Sequence, residues 1–395
     1  MDFSLTPEQR QFRDEVRAVV ARHVTPGMHQ RIHETGTYVD PALYREIADR
    51  GWLAGAVPGL GERDPVELYL LFHEIETQGG PIDGLVFNMM IAGVINHLGS
   101  DYLKETVMKP LIAGDAQICM GLSEPDSGSD VANAKTRATW VDDHWVINGH
   151  KMWTTLAHVS TWVMLLTRTG PAEPKHRNLT MFIVPLDLPG VEIRPVKTMG
   201  AERTNATFYT NVKLGDEWRL GEVGEGWKVL TTALAFERGV MGNTNPGVHL
   251  LTETVAWLKR SGTTVSDTLA QELAQMVIDN HVATLLTQRA AWLAAEGGLP
   301  GLEGSKAKLF SSEAYQRSVE RLLELIGPRG LYPTSVADAA AGGWLNHHVR
   351  HAPVTTIYGG TSEIIRNTIA ERELGLPKTR PTPGRSGGEG PARPQ

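Results

Sequence analysis

Hydrophobic periodicity changes twice along this chain, and those two changes limit it to a few architectures. Up to about residue 116 apolar residues recur at helical spacing. Thr6, Pro7 and Gln9 form a helix start with a capping box, and Phe12, Val16, Val19 and Val20 then make one stripe. Asp40-Pro41 and Gly51 frame a second helix with Leu43 and Ile47 on one face, and Glu67 to Gln78 and Tyr102 to Leu111 read alike. From 117 to 222 the period shortens to two. β-branched and aromatic runs at 136–141, 144–148, 161–167, 179–185 and 206–213 alternate with turns at Asp142-Asp143, Asn148-Gly149 and Pro189-Gly190. From 223 to about 378 the helical period returns, interrupted at Pro246, Gly297-Gly298 and Gly327-Pro328. The pattern predicts an α+β multi-domain protein: an N-terminal helical domain, a small antiparallel barrel or sandwich, and a C-terminal helical domain.

Composition narrows the class. The 395 residues carry 38 basic and 45 acidic side chains, a net charge of −7, which argues against a nucleic-acid polyanion as main ligand. Runs such as Trp162 to Thr167 fall far short of the ~20 residues that cross a bilayer, and the charged N-terminus does not read as a secretory signal. A single cysteine, Cys119, suits a reducing cytoplasm. Residues 379–395, rich in Pro, Gly and Arg, read as a disordered tail.

Three stretches carry chemistry. Residues 121–130, Gly-Leu-Ser-Glu-Pro-Asp-Ser-Gly-Ser-Asp, offer small hydroxyls and open backbone N–H groups that can approach an anion or the edge of a heterocycle; an ordinary surface turn has the same composition. Lys151-Met152-Trp153-Thr154-Thr155 places an indole beside hydroxyls, suited to covering an aromatic ligand or to a strand core. In residues 357–367, Gly359-Gly360 precedes Thr361-Ser362, a helix N-cap able to meet phosphate or simply to cap. His347, His348 and His351 read as helix-end or core histidines, not metal ligands, since no convergent Cys or Asp set accompanies them. Residues 221–227 read as a turn into a helix, because a phosphate loop would need its Lys-Ser/Thr.

Together, and in this order, these stretches resemble the acyl-CoA dehydrogenase family over nearly the whole chain to about residue 377. The resemblance implies a middle β-barrel, a C-terminal four-helix bundle and a bound FAD. By it, Leu122 and Ser123 lie along the flavin pyrimidine, Gly128 and Ser129 near the pyrophosphate, and Trp153, Thr154 and Thr155 cover the isoalloxazine. Thr361, Ser362 and Glu363 meet the adenosine half, and Arg260 serves the flavin pyrophosphate of a neighbouring subunit. Two family patterns are altered: 258–263 lacks the Phe-Gly that follows the arginine, and 324–330 reads Glu-Leu-Ile-Gly-Pro-Arg-Gly.

The reaction needs a carboxylate base, and most of the family place a Glu directly after the Tyr of the Tyr-Glu-Gly-Thr turn. Here Gly359 stands there. Isovaleryl-CoA and long-chain acyl-CoA dehydrogenases supply the Glu from the first C-terminal helix instead, where this chain has Glu237. Leu230, Leu234, Glu237 and Met241 share a helical face, and no cation lies three or four residues from Glu237. Such a carboxylate is expected to be desolvated and raised toward a useful basicity, the alternatives being a distant arginine partner or a solvated edge. Gly359 keeps a backbone N–H for the thioester carbonyl, and by the same resemblance Ser129, Arg238 and Gly360 contact the CoA or carrier pantetheine.

The expected function is FAD-dependent α,β-desaturation of an acyl thioester, with an electron-transferring flavoprotein as acceptor and a homodimer or homotetramer as assembly. Two alternatives stand beside it: an FAD-sharing subunit of a heteromeric dehydrogenase, as in relatives from sterol side-chain breakdown, and an oxidase or monooxygenase on the same fold.

Overall fold

The computed structural model describes residues 3–57, 60, 61, 63–236, 245–296 and 302–378. The N-terminal part holds α1 (Pro7–His23), α2 (Pro26–Thr35), α3 (Pro41–Asp49), α4 (Trp52–Ala56), α5 (Pro65–Thr77) and α6 (Asp83–Leu98). Next come α7 (Asp101–Leu103), a π-helical turn (Lys104–Met108) and α8 (Lys109–Ile112). The Thr6 hydroxyl accepts from Gln9 N–H at 3.2 Å while Gln9 Oε1 accepts from Thr6 N–H at 2.9 Å, completing the capping box. Phe12, Val16, Val19 and Val20 are buried. Asp40 caps α3 through Leu43 N–H at 2.8 Å, and Gly51 takes φ 72°, which stops one helix and starts the next.

The middle part is one open, mixed sheet: β1 (Ile118–Gly121), β2 (Arg137–Val141), β3 (His144–Lys151), β4 (Trp162–Arg168), β5 (Leu179–Pro185), β6 (Val191–Lys197), β7 (Arg203–Leu214) and β8 (Arg219–Leu220). The order is β6-β7-β3-β2-β4-β5-β8, with β1 also on β4. The antiparallel barrel expected from the sequence is thereby corrected. The ends β6 and β8 do not pair with each other, and β1 and β2 both run parallel to β4. Parallel partners need long crossovers, and the wide sequence separation of Cys119 from its strand partner Val163 hides that pairing from local pattern.

Every residue of β4 is buried, because the sheet is covered on both faces. Val163 and Leu165 pack with Phe182, Tyr209 and Val212, whereas Met164 and Leu166 join the core shared with the N-terminal helices. Asn88 of α6 fixes the entry of β1, accepting from Ile118 N–H at 3.1 Å and donating to Ala116 O at 2.9 Å.

The Asp142-Asp143 turn is a two-residue hairpin with positive φ at both residues. Asn148-Gly149, expected as a turn, instead lies inside β3: the register to β7 slips there and Gly149 takes φ 146°. An unpaired extra residue bends the strand without reversing it.

The C-terminal part holds α9 (Gly226–Phe236), α10 (Gly247–Ser261), α11 (Asp267–Ala295), α12 (Glu303–Ile326), α13 (Trp344–Thr355) and α14 (Ser362–Arg372). α9 packs on β5, and α11 lies against both α12 and α5. The expected break at Pro246 falls where α10 begins, and α12 ends at Gly327 with φ 73°. Gly297-Gly298 and the tail 379–395 lie outside the described residues. Among the described residues no helix is long and apolar enough to cross a membrane.

Candidate active site

One side of β4 is shared end to end by two strands. β1 pairs with Trp162 to Leu165 and β2 reaches it only at Arg168. The chain between them, 122–136, must leave the sheet and return, which pushes the Ser-Glu-Pro-Asp-Ser-Gly-Ser segment out through a gap.

Glu124 organises that excursion from inside. Its carboxylate accepts from Lys135 N–H at 2.6 Å, from Thr136 N–H at 2.9 Å and from Lys151 Nζ at 2.8 Å. Burial opposes the charge, but Lys151 and the two N–H groups hold the carboxyl below the usual carboxylate range. Lys151 Nζ also donates to Leu122 O at 3.1 Å, and Glu124 and Ser127 exchange backbone bonds of 2.9 and 3.0 Å across the Pro125-Asp126 tip. Gly128 and Ser129 are left exposed, with open space where a Gly128 side chain would stand.

Met152 N–H donates to Ser123 O at 2.9 Å, which brings this loop beside the end of β3. There Trp153 adopts φ 60° and is 57% exposed, an indole presented on a left-handed backbone. Thr154 is buried, its N–H on Asn205 O at 2.8 Å and its hydroxyl 3.2 Å from that of Thr207; the Thr155 hydroxyl lies 3.2 Å from that of Thr204. Leu122, Ser123, Trp153, Thr154 and Thr155 therefore form one hydrogen-bonded assembly.

In the C-terminal part, Gly359 and Gly360 take φ 63° and 94°, conformations that favour glycine. Among the described residues no acceptor meets the Gly359 N–H, while Gly360 O accepts from Lys308 Nζ at 2.6 Å. Thr361 caps α14 through Ile364 N–H at 3.2 Å. Ser362 is buried with its hydroxyl unpartnered, and Glu363 is held below its ordinary range by its own N–H and by Thr361. Arg260 is exposed near the end of α10, and among the described residues no hydrogen bond joins it to these loops. Glu237 and Arg238 lie outside the described residues; α9 leads to them with Leu230 buried and Leu234 half-buried.

In the middle part the exposed indole and the open glycine cradle suit a flat heterocycle with a phosphate-bearing tail, and in the C-terminal part the turn N–H and the unpartnered hydroxyl at a helix N-terminus suit an anionic or carbonyl oxygen.

Sequence reading missed two acids. Glu76, at the end of α5, accepts from Asn245 N–H at 2.6 Å, and burial pushes it up to about 8. Asp83, at the start of α6, is open to solvent, yet desolvation still pushes it up to about 6. Neither stands in a recognisable motif; only the packing of α5 and α6 reveals them.

Models of the family's three domains match in order: acyl-CoA dehydrogenase N-terminal domain over 6–115, middle domain over 119–212 and C-terminal domain over 224–374. The acyl-CoA dehydrogenase FadE26 of Mycobacterium tuberculosis is 30% identical over 96% of this chain and 99% of its own length. Among solved structures, the Tcur3481-Tcur3483 steroid ACAD matches with a TM-score of 0.88 and 26% identity over 96% of this chain and 100% of that one. The ChsE4-ChsE5 complex from M. tuberculosis matches with a TM-score of 0.86 and 29% identity over the same shares. With its three parts, its loop order and its length all accounted for, the chain belongs to the acyl-CoA dehydrogenase family, the FAD-dependent oxidoreductases of acyl-CoA.

Proposed function

We propose that this enzyme desaturates an acyl thioester between its α and β carbons, with Glu237 as the base. What carries the reading is the Ser123–Met152 hydrogen bond, which sets the 122–130 loop beside Trp153 in a chain whose three domains match the family's in order. Leu122, Ser123 and Trp153 to Thr155 would hold the flavin ring, Gly128 and Ser129 its pyrophosphate, and Thr361, Ser362 and Glu363 the adenosine half, with Arg260 reaching a neighbouring subunit's cofactor. FAD, when bound, supplies the acceptor for the hydride that leaves the β carbon.

Glu237 takes the α proton, and its place beyond the apolar face of α9, with Leu230 and Leu234 ahead of it, supports a desolvated carboxyl of raised basicity. Gly359 supplies a backbone donor to the thioester carbonyl, whose charge grows as the proton leaves. Its unengaged N–H supports that role. Arg238, Ser129 and Gly360 would meet the pantetheine arm. A single buried cysteine suits a cytoplasmic setting, and the family resemblance makes an electron-transferring flavoprotein the expected acceptor.

Assembly has two readings. A homo-oligomer is the simpler; a pairing with an unlike chain is favoured by the two-protein complexes among the structural relatives. Purification of the chain alone separates them, since a yellow, active homo-oligomer excludes an obligatory partner.

The test of the base is Glu237→Gln. The variant should retain FAD and lose anaerobic flavin bleaching by acyl-CoA by at least about 100-fold. Undiminished bleaching removes Glu237 from the mechanism.

A further inference from the structure

His347 and His351 stand four residues apart on α13 and therefore point from one face, their rings stacked at 17° with centroids 5.7 Å apart. Facing them is Glu202, carried by the turn between β6 and β7. One donor atom from each of the three lies within 4.8 Å of the others. A tetrahedral ion with ~2.0 Å bonds spaces its ligands by roughly 3.3 Å, so ring rotations on the order of an ångström would close the set.

Two of the three donors already face each other. Glu202 Oε1 and His351 Nδ1 form an ion pair that favours the charged imidazole, so a cation bound here would take the place of the ring proton between them. The Tyr38 hydroxyl lies 3.3 Å from His347 Nδ1 and 3.4 Å from Nε2, so it favours neither nitrogen. Glu202 is the acid that acts most on His351, and Asp83 adds to it. The turn is also held independently, because Arg350 Nη1 donates to Met199 O at 3.0 Å. That bond keeps Glu202 opposite α13 without any ion.

We propose that Glu202, His347 and His351 bind a first-row divalent cation of borderline softness, Zn²⁺ foremost. The two imidazoles and one carboxylate suit such ions better than Mg²⁺ or Ca²⁺, and a fourth position stays open for water. The ion joins the middle sheet to the C-terminal helices, next to the Tyr358-Gly359 turn. No step of the dehydrogenation is assigned to it.

The FAD-loaded full chain, stripped with chelator, is dialysed against micromolar Zn²⁺, and zinc and FAD are then measured together. Wild type should retain close to one equivalent of zinc. Glu202→Gln, which keeps the side chain's shape, and His347→Asn/His351→Asn should each lose at least about tenfold in affinity with FAD content unchanged. His23→Asn, a surface histidine paired with Glu46, should bind as wild type does. Wild type loaded with Cu²⁺ gives a readout free of any folding defect in the variants: its electron paramagnetic resonance spectrum should show splitting from two nitrogen donors. Less than about a tenth of an equivalent of zinc in wild type, undiminished binding in the variants, or a copper spectrum without two nitrogens would each overturn the proposal.

Discussion

Lys151 Nζ lies 2.8 Å from Glu124 Oε1, with side-chain exposures of 0% and 6%, so a strand end and the outward loop are fastened from beneath by one desolvated ion pair. Removing one partner strands the other without solvent. Lys151→Met should destabilise the fold by about 3 kcal/mol, because Glu124 keeps only its two backbone donors. FAD binding should weaken at least about tenfold, since Leu122 O loses its donor as well. Urea denaturation and FAD titration of the apoprotein measure the two effects. An FAD affinity equal to wild type would separate the 122–130 loop from the cofactor site.

Trp153 answers a different question. With 57% of its surface exposed it contributes little to packing, so Trp153→Ala should leave the apoprotein's stability within about 0.5 kcal/mol of wild type. An indole stacked on a ring should nonetheless be missed when the ring arrives, and FAD should bind about tenfold more weakly. The same pair of measurements applies, and a loss of stability without a loss of affinity would make the indole structural.

Arg168 is a stability residue. It is buried, and its guanidinium donates to Ala134 O at 2.9 Å, Ala132 O at 2.7 Å and Pro171 O at 3.2 Å, tying together the end of the loop and the 171–175 segment. A lysine is a point charge that cannot span that set. Arg168→Lys should cost roughly 2–3 kcal/mol, read as a lower urea midpoint at unchanged slope.

Glu76 sets a pH dependence. Its carboxyl is raised from the ordinary 4.5 to about 8 by burial, against the pull of the Asn245 N–H. A folded-state value above the unfolded one means the stabilising contribution is whole below pH ~4.5 and is lost as pH climbs through ~8. Glu76→Gln keeps an oxygen for Asn245 and removes the titration. The variant should therefore gain on wild type between pH 5.5 and pH 9, by on the order of 1–3 kcal/mol in unfolding free energy. Parallel stability curves across that range would place the Glu76 carboxyl in ordinary solvent.

Local signals were legible wherever a residue acts on its immediate neighbours. Thr6 and Asp40 cap as their sequences say, β5 spans the run read from 179 to 185, and Asp142-Asp143 turns the chain. Strand β6 escaped because Pro195 breaks the alternation that Val191, Glu192, Ile193 and Arg194 begin, an interruption an edge strand tolerates. β1 is four residues long, and its partner lies far along the chain. The closed antiparallel barrel was wrong for the same reason, since period-two runs do not say whether neighbours run parallel. The 121–130 loop and Trp153 were visible as motifs, whereas the Glu124–Lys151 tie beneath them was not. His347 and His351 were in view, but Glu202 comes from another domain, and only tertiary packing brings it opposite them.

The gap where β1 hands over to β2 along β4 also imposes a timetable on synthesis. Until Arg168 has left the ribosome, neither strand has its parallel neighbour, and the 122–136 excursion has nothing to spring from. The turn at 356–363 emerges later still. On the proposed assignment of the flavin to these two segments, newly made protein should pass through a colourless, protease-sensitive stage that lasts until both have emerged.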